Sequence, residues 1–552
     1  RVPARVLASR ALLEEISDDK TLQQLQNTTH LPGIQKHALC MPDGHQGYGF
    51  PVGGVAGIET ETGCISPGAV GYDINRLTGD SAVQLEFGRR ISLGALRNRF
   101  ENERAFVASD NGAHSSIRLF VESGSKPVYS VETETGETIE ATTDHPFATP
   151  DGMVRLAELT PGDSVRLRPF RGVEHENHEQ FTLLTEADFD DSDSELVTKL
   201  TQNDILPLQS TDDAFKRLLK LVGFATGLSH SDESRTVFYA DPEDLDSISQ
   251  DVSSLGFTPS RIHAKQANHD SECSRSQATQ AVTGLRVKGL NQLLTKLGAP
   301  EGFSDEFSAN LPDYFDRLAD WQRALYLSTL FGAQMSGVAA QNQETILCPT
   351  ISRSSDECAA DKGEQFFHLI ADALHSLGIK TTQIERTGTA SCESDRRLQL
   401  SVSQDPPNLI RFLEMVGYRY CMEKSRHAAM TIQYLHIKER ATRDTRPTSM
   451  STEVAADGGV SMNPSTDPCD TTGVSIGRPS RSRQDDIQHR LADFPTFDEF
   501  AADATVYDDA TVDCRITDIS RTGQKIVYDI GVVHDAHNFV ANGFVVSNCG
   551  VR

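Results

Sequence analysis

Sequence of β-type texture occurs twice in this chain, on either side of a long helical stretch, and no single uninterrupted domain fits that order. From Leu77 the sequence breaks into short runs separated by turns, and VYSVETETGETIEATTDHPF (128–147) alternates around a Thr-Gly pair. Alternation about such a turn predicts paired strands. The same texture returns near the end, in KIVYDIGVV (525–533) and NFVANGFVV (538–546). Between them, residues 213–440 hold apolar stretches at helical spacing: LLKLVGFATGL, LNQLLTKLG, RALYLSTLFGAQM and LIRFLEMVGYRY. One β-rich unit split into two halves by a mixed α/β unit is the simplest reading.

Flanking texture completes the layout. Residues 7–28 have Leu and Ile at helical spacing, and glycine-rich, strand-like sequence runs from Leu39 to Asn75. The predicted order is a flanking segment 1–75, a β half 76–175, a polar linker 176–212, a helical insert 213–440, a disordered linker 441–490, a second β half 491–548, and a short tail 549–552. A chain of 552 residues is too long for one core, which agrees with three or four units. The chain opens at Arg1 in mid-pattern, so a piece of a longer gene product is expected.

Acidic residues outnumber basic ones 79 to 52, a formal charge of −27. Such a surface repels nucleic acid at low salt and suits a crowded, salty solvent. The ten cysteines are scattered with no CxxC pair, which argues against a zinc ribbon or a secreted disulfide framework. No apolar run approaches the roughly 20 residues of a membrane-spanning helix, and no signal peptide is visible. A soluble, cytoplasmic chain with no membrane partner is expected.

Four segments carry chemistry: RLTGDSAV (76–83), TTDHPF (142–147), VYDI (527–530) leading to HNF (537–539), and NGFVVSNC (542–549). Their order, spacing and final Asn-Cys junction resemble the motif blocks of inteins, whose splicing (Hint) domain is an all-β horseshoe. Breaking an unactivated amide needs a nucleophile, a proton for the leaving nitrogen and a polarised carbonyl. By this resemblance His145 protonates the nitrogen at the upstream junction and Thr142 fixes its geometry. Asp529 tunes the attacking thiol, Cys549 is the acceptor nucleophile, and Asn548 cyclises to free the downstream junction with help from His537. Splicing itself needs no cofactor. The plainer reading of each histidine is a turn leaving a strand or a partly buried pair.

Two positions depart from the pattern. At the Asn75–Arg76 junction, Arg76 stands where inteins carry Cys or Ser, and it cannot form a thioester or ester. Ser547 stands where the penultimate His is usual. Some inteins without a first nucleophile let the downstream Cys attack the upstream bond directly, and Cys549 is placed for that route. Impaired splicing is the expectation.

The helical insert has two similar halves, one around Leu221–Leu228 and one around Leu327–Gln334. It resembles a two-repeat LAGLIDADG homing endonuclease, in which paired helices each deliver an acidic Mg²⁺ ligand to DNA. The ligand positions carry Leu228 and Gln334, so cleavage is expected to be lost and DNA binding to be weak. Asp232 and Glu233 lie nearby in what reads as a polar loop and are poor substitutes.

The segment MPDGHQGYGFPVGGV (41–55), with RVPARVLASR at the start, resembles the N-terminal part of RtcB, an α+β RNA ligase. That family uses GTP and Mn²⁺ to join RNA 3′-phosphate or 2′,3′-cyclic-phosphate ends to 5′-hydroxyls, with transfer-RNA halves as the implied substrate. Removing 76–548 would give GYDINCGVR, whose Asp73 and Cys549 match the family's manganese ligands. Asn75 lies between them, and Asp43 is a candidate active-site carboxylate; the alternative for Asp43 and His45 is a capped glycine-rich turn. The family's remaining ligands and its guanylylated histidine lie beyond this segment, so the fragment is not expected to ligate RNA alone. Three functions therefore stay open: a self-splicing RNA-ligase precursor, a DNA-binding endonuclease, and a decayed intein that does not splice.

Overall fold

In the computed structural model the described residues are 1–17, 19–47, 49–64, 66, 72–73, 76–109, 112–227, 229–232, 235–264, 282–300, 302–303, 311–340, 346–354, 360–387, 397–443, 494–548 and 550–551. The flank is α+β. Strand Ile34–His45 pairs parallel with Ala4–Val6 and antiparallel with Val52–Ile58. Helices Arg10–Ser17 and Thr21–Thr28 replace the single helical stretch suggested by sequence, and Leu25 packs on Ala38 and Cys40. The glycine-rich turn considered for Asp43 and His45 is not what forms. Both lie on the Ile34–His45 strand, where an irregular register between Cys40 and His45 absorbs the Pro-Asp-Gly step.

The two β halves fold into one 13-stranded sheet. Its spine is the antiparallel pairing of Ala113–Thr133 with Val512–Val532, running from Ile516 opposite Thr133 to Val532 opposite Ile117. Four register irregularities along this ladder bend it. Leu77 and Thr78, at the start of the first half, pair with Tyr528 and Val527 near the end of the second. The expected hairpin is present: Thr138–Ala141 folds back on Ala113–Thr133, with Gly136 at φ +94° in the turn. Inward residues from both halves form one core, including Leu77, Ile117, Val131, Phe147, Phe539 and Phe544. Each such side chain contributes roughly 1.5–3 kcal/mol on burial, so neither half has a complete core alone.

The insert repeats a pattern of helix, strands, helix, two strands, helix, with two strands after the leading helix in the first copy and three in the second. The first copy runs from Asp213–Gly227 to Asn291–Lys296, and the second from Asp320–Gln334 to Pro406–Met415. The leading helices of the copies touch through small residues. A Cβ on Gly223 would lie 2.5 Å from the Tyr326 carbonyl oxygen, and one on Gly227 would lie 2.7 Å from Ala333 Cβ.

Two expected boundaries move. Residues 176–212, read as a polar linker, contain paired strands Thr182–Leu184 and Leu208–Gln209 and the helix Ser194–Gln202. Leu184, Leu196, Leu200 and Leu208 are buried in the insert's core, a sparse apolar set that an acidic sequence hid. Helix Phe497–Asp503, assigned to the second β half, packs with Phe494 around Tyr434 of helix Met422–Arg443 and so belongs to the insert's edge. The 441–490 linker lies outside the described residues except for 441–443, which extend that helix. No described helix is long and apolar enough to cross a membrane.

Candidate active site

Thr142 and His145 sit where the strand Thr138–Ala141 turns into Pro146–Thr149, beside Arg76 at the start of the first β half. Thr142 donates its N–H to the Arg76 carbonyl at 3.0 Å and its hydroxyl to the same oxygen at 3.4 Å. The first carbonyl of the inserted segment is thereby fixed. The Arg76 side chain points to Asp144, 3.4 Å away. His145 is anchored by its main chain: its N–H donates to Thr142 O at 3.1 Å, and its carbonyl accepts from Leu156 at 2.9 Å. Its ring is fully buried, edge-on to Phe147, and neither nitrogen has a partner among the described residues. Burial pulls its pKa down to about 3, against a small opposing pull from Asp144. The resting imidazole is therefore neutral. It offers one N–H and one lone pair, and gains a full proton when negative charge builds beside it.

Asp529 is completely buried on the Val512–Val532 strand, opposite Val121, and its Oδ1 accepts from Ile530 N–H at 2.7 Å. Asn548 is equally enclosed. Its Nδ2 donates to the Val532 carbonyl at 3.0 Å, and its N–H donates to the His537 carbonyl at 2.9 Å. This fixes the side-chain amide that would cyclise. His537 meets Asn548 through its main chain, at φ +48°, while the residue itself is exposed. Ser547 directs its hydroxyl to the Asn548 carbonyl at 3.3 Å and to the His537 carbonyl at 3.5 Å. A donor therefore stands at the oxygen of the downstream junction despite the missing histidine.

Sequence reasoning missed the residues that lock this end in place. Asn538 pairs with both main-chain groups of Ala108, at 2.8 and 2.9 Å. Asn542, at φ +48°, accepts from Ala82 N–H at 2.7 Å and donates to Thr138 O at 3.1 Å. The Ser115 hydroxyl accepts from Val533 and His534 N–H, both at 3.1 Å. The Asn-Gly pair at 542–543 was a turn signal, but nothing in sequence gave its cross-chain partners.

Asn75, Leu228, Glu233 and Cys549 lie outside the described residues, as do the side chains of Asp43, Asp73 and Asp232. The main chain of Asp73 pairs antiparallel with Gly550, and Tyr72 with Val551, so the sequences before and after the inserted segment meet in one ladder. Among the described residues one group has metal-ligand spacing, Glu137, Glu414 and His436. Arg171 already bridges Glu137 at 3.0 Å and Glu414 at 3.2 Å, so the group is an ion-pair cluster between β unit and insert. At the end of the paired helices, Gln334 Oε1 accepts from Arg353 Nε at 3.0 Å. Arg353, nearly buried, also donates to the Thr226 carbonyl at 2.6 Å and lies 4.3 Å over Phe366. A guanidinium thus occupies the helix ends.

Residues 91–548 match the family model for the intein splicing domain, most of the chain. The chain belongs to the intein family. Its host is legible too, since residues 24–146 match the tRNA-splicing ligase RtcB model, so this intein interrupts an RtcB segment. A tRNA-splicing ligase RtcB from Methanopyrus kandleri is 31% identical over 584 aligned residues, covering 100% of this chain and 57% of that protein. One from Thermococcus kodakarensis is 59% identical over 75 residues, 14% of this chain and 16% of that protein. The intein-bearing chain spans a little over half the length of the curated relatives it matches along its whole length. A DnaB intein from Synechocystis sp. PCC 6803 is 28% identical over 17% of this chain and 70% of that one, with a TM-score of 0.17.

Proposed function

We propose that the chain is a slow self-splicing precursor that excises residues 76–548 and joins Asn75 to Cys549. The observation that carries this reading is the pairing of Tyr72–Asp73 with Gly550–Val551, which holds the two ends to be joined side by side. The Cys549 thiol attacks the Asn75 carbonyl carbon, and the bond to the Arg76 nitrogen breaks as that nitrogen takes the proton the thiol gives up, relayed by the His145 imidazole. His145 serves this step as a neutral imidazole responding to developing charge, with Thr142 holding the adjacent Arg76 carbonyl. Asn548 Nδ2 then attacks its own main-chain carbonyl, releasing Cys549 with a free amine. That amine takes the acyl group from sulfur to form the new peptide bond. Asp529 tunes the thiol, and His537 acts from the solvent side. Arg76 removes the usual first thioester, which is why the reaction is slow.

The insert reads as a LAGLIDADG endonuclease relic. The duplicated helix–strand order and the small-residue helix contact support the family, and Arg353 at Gln334 supports loss of Mg²⁺ chemistry. DNA binding through it is weak. After joining, Asp73 and Cys549 would hold Mn²⁺ for the host RNA ligase, their closeness supported by the Asp73–Gly550 register. The metal would supply Lewis-acid polarisation there. Asp43 and Asn75 would line the same site, while GTP and RNA ends such as transfer-RNA halves engage the longer host protein in the cytoplasm.

The test is the intact mass of the 60.5 kDa chain, followed in time at high salt. A species of residues 76–548 with a joined 1–75/549–552 peptide is expected. An unchanged mass refutes self-splicing, and loss of the CGVR tail alone would confine the activity to Asn548.

A further inference from the structure

A cavity of about 320 Å³ lies where the β unit meets the insert. Among the described residues its wall carries five cationic side chains, Arg104 and Arg168 from the β unit and Arg217, Lys220 and Arg419 from the insert. Three carboxylates face them, Glu86, Asp251 and Asp509. The wall is thus positive by two charges in a chain whose formal charge is −27.

Pairing within the wall is uneven. Arg217 bridges Glu86 at 3.1 Å and Asp251 at 2.8 Å, Lys220 pairs with Asp251, and Arg104 reaches Glu86 at 3.6 Å. The Asp509 carboxylate turns to its own loop, accepting from Thr511 N–H at 3.1 Å and Thr511 Oγ1 at 2.6 Å. No described carboxylate is within ion-pair distance of Arg168 or Arg419. Arg168 donates to the Asp509 carbonyl at 2.7 Å and lies 3.6 Å over Phe106, while its buried Nε has no described partner. The Arg419 guanidinium stands 5.7 Å from the Phe170 ring, and no described acceptor lies within hydrogen-bond reach of it. Burial lowers both guanidinium pKa values, that of Arg168 to about 10. His114, also in the wall, is kept neutral by burial and by the surrounding cations.

Two half-buried guanidinium groups with no carboxylate within ion-pair distance favour an anion between them. Their planar forks match the oxygens of a tetrahedral oxyanion better than a single halide does. At roughly 30 Å³ per water, the space holds a phosphate or diphosphate with some solvent. We propose that this cavity binds a compact phosphate-type oxyanion between Arg168 of the β unit and Arg419 of the insert. Such a ligand would tie the two units together. It would also brace the downstream hairpin, because the Arg168 N–H holds the Gly543 carbonyl at 2.7 Å.

Thermal unfolding of the intact chain, with inorganic phosphate or pyrophosphate titrated at constant ionic strength in sodium chloride, reads this directly. A saturable rise in Tm is expected with one or both. Arg419→Lys, which keeps the charge but not the fork, should weaken it less than Arg419→Gln, which should weaken binding by about tenfold to a hundredfold, the loss of one charge-assisted bond. A flat titration overturns the proposal. So does an equal rise with added chloride, or an unchanged affinity in Arg419→Gln, which would mean adventitious surface binding. Should Arg419→Gln fail to fold, ³¹P line broadening of phosphate by the unaltered chain, reversed by pyrophosphate, decides the matter. Absence of broadening refutes it.

Discussion

Replacing His145 with leucine should flatten the pH dependence of local stability around the active site. In the folded chain burial holds this imidazole at about pKa 3, against an ordinary value of 6.5. Between those values the unfolded chain binds the proton and the folded chain does not. Stability from this group is therefore intact above about pH 6.5 and falls as pH drops toward 3. Linkage at about pH 5 gives a loss of about 2 kcal/mol relative to neutral pH. The full shift would remove about 5 kcal/mol, an upper bound because partial opening lets water reach the ring. His145→Leu keeps an apolar side chain against Phe147 and removes the titration. The assay is hydrogen–deuterium exchange, with protection free energies for the paired strands Pro146–Thr149 and Phe544–Ser547 measured at about pH 7.5 and about pH 5. The wild-type change should exceed that of the variant by about 2 kcal/mol, other carboxylates being common to both. Equal changes in the two proteins would show that His145 is hydrated or paired, and would refute the neutral-imidazole reading.

Ser547→Ala should slow release of the CGVR tail about tenfold, since it removes the donor to the Asn548 carbonyl; mass spectrometry of the tail peptide measures it. Arg76→Cys restores a first nucleophile beside the Thr142 clamp, so combined with Cys549→Ala it should give a hydroxylamine-cleavable thioester at Asn75, where Cys549→Ala alone gives none. Gly223→Leu would drive a side chain into the Tyr326 carbonyl and should destabilise the insert by about 3 kcal/mol, read from Trp321 fluorescence in denaturant.

The position of much of the candidate site was legible, because the splicing reading asks for a fixed set of groups near two bonds. Thr142, His145, Asp529 and Asn548 are all buried in the β unit, though the first two and the last two lie hundreds of residues apart in the chain. Their states were not legible. The charge of His145 depends on desolvation by strands that arrive from both halves, and the bond that joins His537 to Asn548 uses a main-chain carbonyl that any residue carries. Ser547 looked like a loss, yet the end of its strand aims its hydroxyl at the Asn548 carbonyl. Arg353 gave no motif at all, because a lone arginine acquires meaning only when two helix ends converge on it.

Local pattern by itself determined the split β unit, the duplicated insert and the flanking segment, because alternation, helical spacing and turn residues act over a few neighbours. It misjudged 176–212, where a few leucines among acidic residues find their core only in the folded insert. Tertiary structure alone decided which carbonyls are held, which imidazole stays neutral, and which cations at the β-unit–insert boundary go unpaired. Those are matters of distance and desolvation between segments remote in sequence, and no periodicity along a chain encodes them.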